Sequence, residues 1–331
     1  MGVDLGGTNV RAAVVAADGR LLGPRIEAPS HGQAGWRATA EAIVEAVKRA
    51  REGVGAEPAG IGMAVPGHIQ GRVVRWAPNL GEPSSGGFRH WKDVPLGEAV
   101  EALAGIPVQM GNDANLAALG EYRFGSGKGT ANGLVMITLG TGIGGGAVLG
   151  TSGVLGGLSC PAVLVGGNEG GAELGHTVIV KDGELCSCGA RGCLEAYCKK
   201  DAIVRRARAS FDRQDAIKLR NICGDDPGRI TPRLIFEAAE AGDPAAMDVW
   251  RETGEYLGVG LGNFINIFAP EIVAVGGQIA KAGELLLQPA REAAESVVID
   301  TVWPDTRIVQ AERIDDAGLL GGAALALEAP G

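Results

Sequence analysis

The sequence predicts an α/β fold built from two related domains. Its 331 residues suffice for about two domains, at roughly 150 residues each. Short apolar strands bounded by glycine turns alternate along the chain with helices that are apolar on one side. A strand, a glycine turn and a second strand occur at residues 2–16 and again at 134–149. An internal similarity of this kind indicates two domains of common plan.

Strands dominate the predictions for the first third of the chain. Apolar runs between turn residues predict strands at 2–5, 10–16, 21–26, 60–65 and 106–110. Apolar residues at helical spacing predict helices at 39–51 and 114–121. Residues 77–80 are predicted to be a loop, and residues 80–91, which contain several Gly and Ser, to be irregular and mobile.

Helices dominate the predictions for the rest of the chain. Beyond the strands of 134–149, helices are predicted at 202–209, 232–241, 245–268 and 316–328, and strands at 272–275 and 308–310. The strand at 272–275 runs into Gly276 and Gly277, which form a turn that opens another helix. Backbone amides at such a helix start can bind an anion or a nucleotide.

Two glycine turns are candidates for binding phosphate. When the strand repeats are superposed, DLGGT at residues 4–8 aligns with TLGTG at 138–142. Such turns offer backbone amides and a hydroxyl to an anion, and Asp4 can reach a phosphate-bound Mg²⁺ through water. The second turn also matches G-x-G-x-x-G, but an apolar strand follows where a dinucleotide fold needs a helix. Taken alone, a Gly-rich hairpin turn is more often a purely structural feature.

A metal site is predicted in the segment 171–195. The spacing H-x9-C-x-C-x4-C is formed by His176, Cys186, Cys188 and Cys193. Three thiols and an imidazole this close in sequence can wrap one Zn²⁺ in a closed, structural site. A redox cluster or buried free thiols are the alternative, and Cys198 can compete with Cys193 as a ligand. Glu173 and Glu195 flank the set, so the metal would hold two carboxylates in fixed relation.

Composition argues against several classes of protein. A formal net charge of -9 argues against binding to nucleic acid or to an anionic membrane, because either would need clustered Lys and Arg on the protein. Neither a signal peptide nor an apolar run of about 18 residues is present, which predicts a cytoplasmic protein. The six cysteines fit a reducing compartment, where thiolates bind metal, better than a disulfide framework.

Seven short motifs together resemble the ROK family of sugar kinases and repressors, closest to its zinc-containing glucokinases. They are DLGGTN at 4–9, APNL at 77–80, NDAN at 112–115, TLGTGIGGG at 138–146, ELGH at 173–176, CSCGARGCLE at 186–195 and VGGQ at 275–278. Each motif is modest alone, but the ordered set is specific and covers most of the chain.

This resemblance implies an actin-like ATPase (ribonuclease H-like) fold in which two domains close on a cleft. The small domain would comprise residues 1–111 completed by the C-terminal helix at 315–331, and the large domain residues 112–314. The implied activity is that of an ATP-dependent hexose kinase, most closely a glucokinase acting on the 6-hydroxyl of glucose, with Mg²⁺ on the nucleotide and a structural Zn²⁺. The implied assembly is a homodimer or homotetramer.

The resemblance also assigns roles to residues. Asp113 would be the general base that takes the proton of the attacking hydroxyl, although Asn112 and Asp113 taken alone can simply cap a helix. The implied sugar ligands are Asn79, Asn112, Glu173, His176 and Glu195. The implied nucleotide ligands are Asp4, Gly6, Gly7, Thr8, Asn9, Thr138, Gly140, Thr141, Gly142, Gly276 and Gly277.

Two departures from the family pattern leave the hexose open. Residues 81–90 and 151–170 are longer than usual and border the presumed sugar site, so an N-acetylhexosamine, mannose or fructose remains an alternative to glucose. A sugar sensor without catalysis is the second alternative. The chain starts directly in the first strand, without the helix-turn-helix of the family's repressors, which argues against DNA binding.

Overall fold

The computed structural model describes residues 1–128 and 132–328. Thirteen strands lie within these residues: β1 (Gly2–Leu5), β2 (Asn9–Ala13), β3 (Ile26–Pro29), β4 (Ile61–Val65), β5 (His68–Gln70), β6 (Val73–Ser84), β7 (Gly87–Val94), β8 (Val108–Asn112), β9 (Gly133–Leu139), β10 (Ile143–Leu149), β11 (Ala162–Val163), β12 (Ile272–Gly276) and β13 (Arg307–Gln310).

Ten α-helices lie in the same described ranges: α1 (Trp36–Arg51), α2 (Leu96–Ala104), α3 (Asp113–Phe124), α4 (Leu194–Cys198), α5 (Lys200–Ala209), α6 (Ile217–Cys223), α7 (Pro232–Glu240), α8 (Pro244–Phe268), α9 (Glu284–Glu295) and α10 (Ala317–Glu328). Short 3-10 helices occur at Leu174–His176, Pro227–Arg229, Gln278–Ala282 and Trp303–Asp305. None of the described helices is both long and apolar enough to cross a membrane.

Two five-stranded sheets repeat one plan, as the internal similarity predicts. Their strand orders are β3-β2-β1-β4-β8 and β11-β10-β9-β12-β13, so each has three consecutive strands on one side and two later strands on the other. In the first sheet β1 pairs antiparallel with β2 and parallel with β4, and β4 pairs parallel with β8. A third sheet has the order β5-β6-β7.

Contacts divide the chain into two compact units. Unit 1 holds residues 1–136, 146–172 and the chain from Glu312 onward, and unit 2 holds residues 137–145 and 173–311. The boundary predicted at residues 111 and 112 differs from this division, because α3 belongs with unit 1. The last three residues of the predicted C-terminal helix, 329–331, lie outside the described residues.

Helix α3 belongs to unit 1 because its backbone packs closely against the backbone of α10. A Cβ on Gly120 would lie 2.3 Å from the carbonyl oxygen of Ala317, so only glycine permits this approach. The fully buried carboxylate of Glu121 accepts a hydrogen bond from the amide of Glu312 at 2.8 Å, among others. A buried carboxylate needs such partners, and here they fasten α3 to the chain that leads into α10.

The core of unit 1 lies between the first sheet and α1. Val3 of β1 and Met63 of β4 are fully buried, and α1 buries Ile43 and Val47 on the side that faces the sheet. Burying side chains of this size stabilises a fold by roughly 1.5–3 kcal/mol each. The predicted one-sided helix at 39–51 is thereby confirmed, although it begins earlier, at Trp36.

In unit 2, the long helix α8 packs on α9 through its glycines. A Cβ on Gly254 would lie 2.6 Å from the carbonyl oxygen of Leu286, and one on Gly258 would lie 2.3 Å from that of Ala290. The glycines that interrupt the predicted helix at 245–268 are therefore contact points. They allow α9 to approach closely without breaking α8.

Three predictions for unit 1 were wrong. Residues 77–80 and 80–91 are not a loop and an irregular segment but lie mostly in β6 and β7, which pair as a hairpin. The buried side chains of Leu80 and Trp91 hold this hairpin against the unit 1 core, a long-range contact that the Gly-rich and Ser-rich composition does not reveal. The strand predicted at 21–26 begins only at Ile26, since Leu21 makes no more than an isolated bridge to Val15.

Candidate active site and metal cluster

The first glycine turn connects β1 and β2 in unit 1. The Gly6 amide donates a hydrogen bond to the carbonyl oxygen of Asn9 at 2.8 Å, and Gly6 and Thr8 are exposed. The Asn9 side chain donates to Glu27 at 2.8 Å. Sharp hairpin turns of this type leave backbone amides accessible to an anion.

Asp4 precedes this turn and lies in a strongly acidic environment. Burial raises the pKa of Asp4 to about 6, and the neighbouring Asp113 carboxylate raises it as well, with smaller contributions from Asp316 and Glu27. Arg11, whose guanidinium lies 3.6 Å from an Asp4 carboxylate oxygen, opposes the shift. The structure therefore brings the predicted Mg²⁺ residue and the predicted base into mutual electrostatic reach.

Asn112 and Asp113 stand where β8 ends and α3 begins. The Asn112 side-chain oxygen accepts the amides of Ala114 and Asn115 at 3.0 and 3.1 Å, and its nitrogen donates to Gly67 at 3.0 Å. The capping interpretation thus holds for Asn112. Asp113 is the first residue of α3 and accepts the Ala114 amide at 2.9 Å. The positive end of the helix favours its ionised form.

Asn79 lies on β6, next to the first glycine turn. A Cβ on Gly7 would lie 3.3 Å from the Asn79 carbonyl oxygen, so the two backbones are in direct contact. Asn79 is an exposed residue. Within unit 1, the structure therefore brings a predicted sugar ligand and a predicted phosphate turn together.

The second glycine turn joins β9 and β10 in unit 2. The Gly140 amide donates to the carbonyl oxygen of Gly142 at 3.0 Å, and the carbonyl oxygen of Gly140 accepts the Lys200 amide at 2.9 Å. Thr141 is exposed at the tip of the turn and Thr138 is half-buried on β9.

Gly276 and Gly277 lie beside the same turn. Gly277 has a φ of 82°, and a Cβ on it would lie 2.2 Å from the carbonyl oxygen of Leu139. Only glycine fits this conformation and this approach. Both sets of predicted nucleotide glycines in unit 2 therefore meet at the end of β9.

Glu195 links the cysteine-rich segment to the second glycine turn. One carboxylate oxygen accepts the Ile143 amide at 3.0 Å, and the other accepts the Ser187 hydroxyl and lies 3.6 Å from the Lys199 ammonium. Burial raises the pKa of Glu195, but the hydrogen bonds from Ser187 and Ile143, together with His176 and Lys199, outweigh it and lower the pKa overall.

The four predicted metal ligands converge in unit 2. The ligand atoms of His176, Cys186, Cys188 and Cys193 all lie within 4.8 Å of one another. The Cys188 and Cys193 sulfurs are 3.7 Å apart, and the Cys186 sulfur is 3.5 Å from His176 Nδ1. Zinc bonds of about 2.3 Å to sulfur and about 2.0–2.1 Å to nitrogen give tetrahedral edges of about 3.8 and 3.6 Å. The donor set and its spacing fit Zn²⁺.

Cys198 is not part of this cluster. Its thiol is completely buried and donates to the carbonyl oxygen of Thr253 at 3.6 Å. Its sulfur is not among the four ligand atoms that lie within 4.8 Å of one another, whereas the sulfur of Cys193 is. The structure thus decides between the two candidate ligands in favour of Cys193.

Glu173 directly precedes the 3-10 helix that carries His176. Its carbonyl oxygen accepts the His176 amide at 3.0 Å, so its backbone position is tied to that of a metal ligand. Because His176 faces the cluster through Nδ1, Nε2 remains for another partner. The sequence predicts that this segment holds the carboxylates of Glu173 and Glu195. Glu195 is attached to it through its carboxylate, which accepts the Ser187 hydroxyl, and Glu173 through its backbone carbonyl.

A cavity of about 360 Å³ also lies in unit 2. It is lined by Lys200, Asp201, Val204, Arg205, Arg208, Ile230 and Thr231. The Lys200 amide that donates to Gly140 places one edge of this cavity beside the second glycine turn. Its three cationic side chains outnumber the one acid, Asp201, and so suit an anionic ligand, while Val204 and Ile230 add an apolar surface.

Sequence reasoning missed several residues of these sites. Ser187 and Lys199 contact Glu195, and the segment Ser30–Gly35 contacts both the first glycine turn and β6. Ser187 lies within the motif CSCGARGCLE, and its hydroxyl could have been recognised there as a possible hydrogen-bond donor to Glu195. For Ser30–Gly35 the only signal was a pair of glycines in a short polar stretch.

Comparison with known proteins decides the family. The ROK family model matches residues 1–329. This chain belongs to the ROK family. A glucokinase of Streptomyces coelicolor is 38% identical over 337 aligned residues, which cover 99% of this chain and 97% of that protein. A glucokinase of Thermotoga maritima is 35% identical over 330 residues, with the same coverage of both chains.

A solved structure extends the similarity to the fold. The ROK family glucokinase from Streptomyces griseus, in complex with glucose and AMPPNP, is 36% identical and superposes with a TM-score of 0.79, covering 99% of each chain. The predicted α/β, actin-like ATPase fold is therefore confirmed. The ordered motifs were a sound basis for assigning the ROK family.

Proposed function

We propose that this ROK protein is an ATP-dependent glucose kinase that transfers the γ-phosphoryl group to the 6-hydroxyl of glucose. The observation that carries the proposal is its full-length similarity to two glucokinases at 35% and 38% identity. The local structure supports it. Each unit offers a glycine turn suited to phosphate, and Asp113 lies in the first turn of α3, where the helix dipole favours a negative charge.

Asp113 is the proposed general base. A sugar hydroxyl is a poor nucleophile at neutral pH, and a carboxylate within hydrogen-bond reach accepts its proton as the new O–P bond forms. Phosphoryl transfer otherwise needs positioning and charge neutralisation more than covalent chemistry. Asn79, Asn112, Glu173, His176 and Glu195 are the proposed ligands of the other sugar hydroxyls, because amides, carboxylates and imidazole can donate to or accept from such groups.

The two glycine turns are the proposed triphosphate ligands, with Asp4 holding Mg²⁺ through water. Burial and the neighbouring Asp113 carboxylate raise the pKa of Asp4, and a divalent cation beside the two carboxylates would relieve their repulsion. In unit 2, the cavity at Lys200 together with Gly276 and Gly277 is proposed to take the adenosine part of ATP. Bound Mg²⁺ would neutralise charge on the transferred phosphoryl group.

The cysteine cluster is proposed to hold one structural Zn²⁺. Four protein ligands leave no open position for a catalytic water, so the metal would stabilise the segment rather than activate a nucleophile. With Nδ1 of His176 on the metal, Nε2 can donate to a sugar hydroxyl, and metal binding would fix this tautomer. A homodimer or homotetramer is part of the same proposal and rests on the family resemblance, to be tested by light scattering.

A coupled assay of ADP release tests the proposed function. ATP is supplied with glucose, mannose, fructose, N-acetylglucosamine or N-acetylmannosamine in parallel reactions. We expect the highest kcat/KM with glucose. A higher kcat/KM with another hexose would show that this hexose, and not glucose, is the preferred substrate. Sugar binding in calorimetry without any sugar-dependent ADP release would instead favour a sensor, and would contradict the kinase.

A further inference from the structure

The segment Ser30–Gly35, called the bracket below, joins β3 to α1 in unit 1. Its first residue is attached to the first glycine turn, because the Ser30 amide donates to the carbonyl oxygen of Thr8 at 2.8 Å. Ser30 is completely buried, and its hydroxyl oxygen accepts the Gly32 amide at 3.3 Å. One end of the bracket is therefore fixed to the backbone of a residue in the proposed phosphate turn.

The other end of the bracket is attached to the strand that carries Asn79. The carbonyl oxygen of Gly32 accepts the Gly81 amide at 2.9 Å, and the carbonyl oxygen of Gly81 accepts the Gly35 amide at 3.3 Å. Gly81 lies only two residues beyond Asn79 on β6. Two backbone hydrogen bonds thus fasten the bracket to the proposed sugar strand.

No space separates the turn, the bracket and the strand at Gly32. A Cβ on Gly32 would lie 2.8 Å from the Gly7 carbonyl oxygen and 2.6 Å from Leu80 Cδ2. Gly7 itself contacts the Asn79 backbone, as described above. A displacement of the phosphate turn must therefore move the bracket or β6, because close-packed groups transmit strain.

Helix α1 holds the bracket from a third side. The hydroxyl of the fully buried Thr39 donates to the carbonyl oxygen of His31 at 3.2 Å. His31 has a φ of 52°, a backbone conformation that residues other than glycine rarely adopt. A strained backbone persists only where its surroundings impose it, so the bracket is held in one shape.

We propose that the bracket couples sugar binding at β6 to nucleotide binding at the first glycine turn, with Gly32 as the positioning residue. The proposal rests on the proposed function, because it takes Asn79 as a sugar ligand and Gly6–Thr8 as a phosphate turn. Binding of either ligand fixes its own segment, and through the bracket it orders the other. By thermodynamic linkage, each ligand then raises the affinity for the other by the same factor, commonly about 5- to 150-fold.

The test is the ratio of ADP dissociation constants measured by calorimetry without and with saturating glucose. We expect the wild-type protein to bind ADP at least about five-fold more tightly with glucose. In Gly32→Ala the added methyl group forces the turn and β6 apart, and the ratio should fall to within about two-fold of unity. Glucose affinity measured without and with ADP should change by the same ratio.

Gly55→Ala is the matched control, because no atom lies within 4 Å of a Cβ placed there. It should keep the wild-type ratio. Thr39→Val, which removes the hydroxyl on His31 but keeps the side-chain volume, is the second variant if Gly32→Ala does not fold, and it should lower the ratio as well. A wild-type ratio near unity, or an unchanged ratio in a folded bracket variant, would overturn the coupling.

These outcomes are separable from the proposed function. A wild-type protein that phosphorylates glucose but shows no change of the ratio in the bracket variants contradicts the coupling alone. A wild-type protein without sugar-dependent ADP release contradicts the kinase, and the proposed coupling fails with it.

Discussion

The Glu195 carboxylate accepts the Ile143 amide at 3.0 Å and the Ser187 hydroxyl on its other oxygen. In the sequence, Ser187 lies between two of the proposed metal ligands, Cys186 and Cys188, and Ile143 directly follows the second glycine turn. One side chain therefore connects the cysteine cluster to a proposed phosphate turn within unit 2. The loss of the metal should displace Glu195 first.

Replacement of a cysteine ligand tests this connection. Cys188→Ala is expected to lose one zinc per chain and to raise the glucose KM by about ten-fold or more before the ATP KM changes. Metal binding to Cys and His sets contributes roughly 10–16 kcal/mol to the folding of small domains, so its loss should let the segment unwind. Elemental analysis and steady-state kinetics measure both effects.

Cys160→Ala is the matched control, since Cys160 is an exposed free cysteine outside the cluster. It should keep the zinc content of the wild-type protein. A zinc-free Cys188→Ala protein with an unaltered glucose KM would show that the metal does not act through the sugar site. Wild-type protein that holds no zinc after purification under reducing conditions would refute the zinc site itself.

A branched side chain in the second glycine turn should affect the nucleotide selectively. Apart from its two neighbours in the chain, the atom nearest to a Cβ on Gly140 is the Gly142 carbonyl oxygen at 3.9 Å, so Gly140→Val should fold normally. The side chain would instead occupy space that the phosphates need. We expect the ATP KM to rise by at least ten-fold while the glucose KM changes by less than three-fold. Unchanged ATP dependence would exclude this turn from the nucleotide site.

The raised pKa of Asp4 predicts a pH-dependent gain in stability on its removal. Its pKa of about 6 in the folded protein exceeds an unfolded value near 3.9. The folded state therefore binds the Asp4 proton more tightly than the unfolded state does. This proton binding contributes to the free energy of unfolding at low pH, and the contribution is lost as pH rises from about 4 through 6. Without nucleotide and Mg²⁺, Asp4→Asn should raise the free energy of unfolding at pH 8 by on the order of 1–2 kcal/mol.

Urea unfolding at pH 8 and at pH 4 measures this difference. At pH 4 the gain should largely vanish, because wild-type Asp4 is then protonated. The same variant should lose most of its Mg²⁺-dependent turnover if Asp4 holds the cation. A variant that is less stable than the wild type at pH 8 would contradict the unfavourable environment of Asp4.

Local patterns were enough to predict the elements that depend on local chemistry. The strand repeats and the helix at 39–51 follow from spacing alone and are present in the structure, and the four residues predicted from spacing as metal ligands converge there. The β6–β7 hairpin did not follow, because the burial of Leu80 and Trp91 by distant residues outweighs a Gly-rich composition. The bracket was also missed, since its role depends on backbone contacts with Thr8 and Gly81 that no spacing shows.

The kinetics of Asp113→Asn test the proposed role of Asp113 as the general base. The amide keeps the shape of the side chain and can still accept the Ala114 amide, but it cannot take a proton from the sugar hydroxyl. With glucose and ATP, we expect kcat to fall by about 10² or more, while the glucose dissociation constant stays within a few-fold of the wild-type value. A variant that keeps a tenth or more of the wild-type kcat would show that Asp113 only begins a helix, and would contradict its assignment as the base.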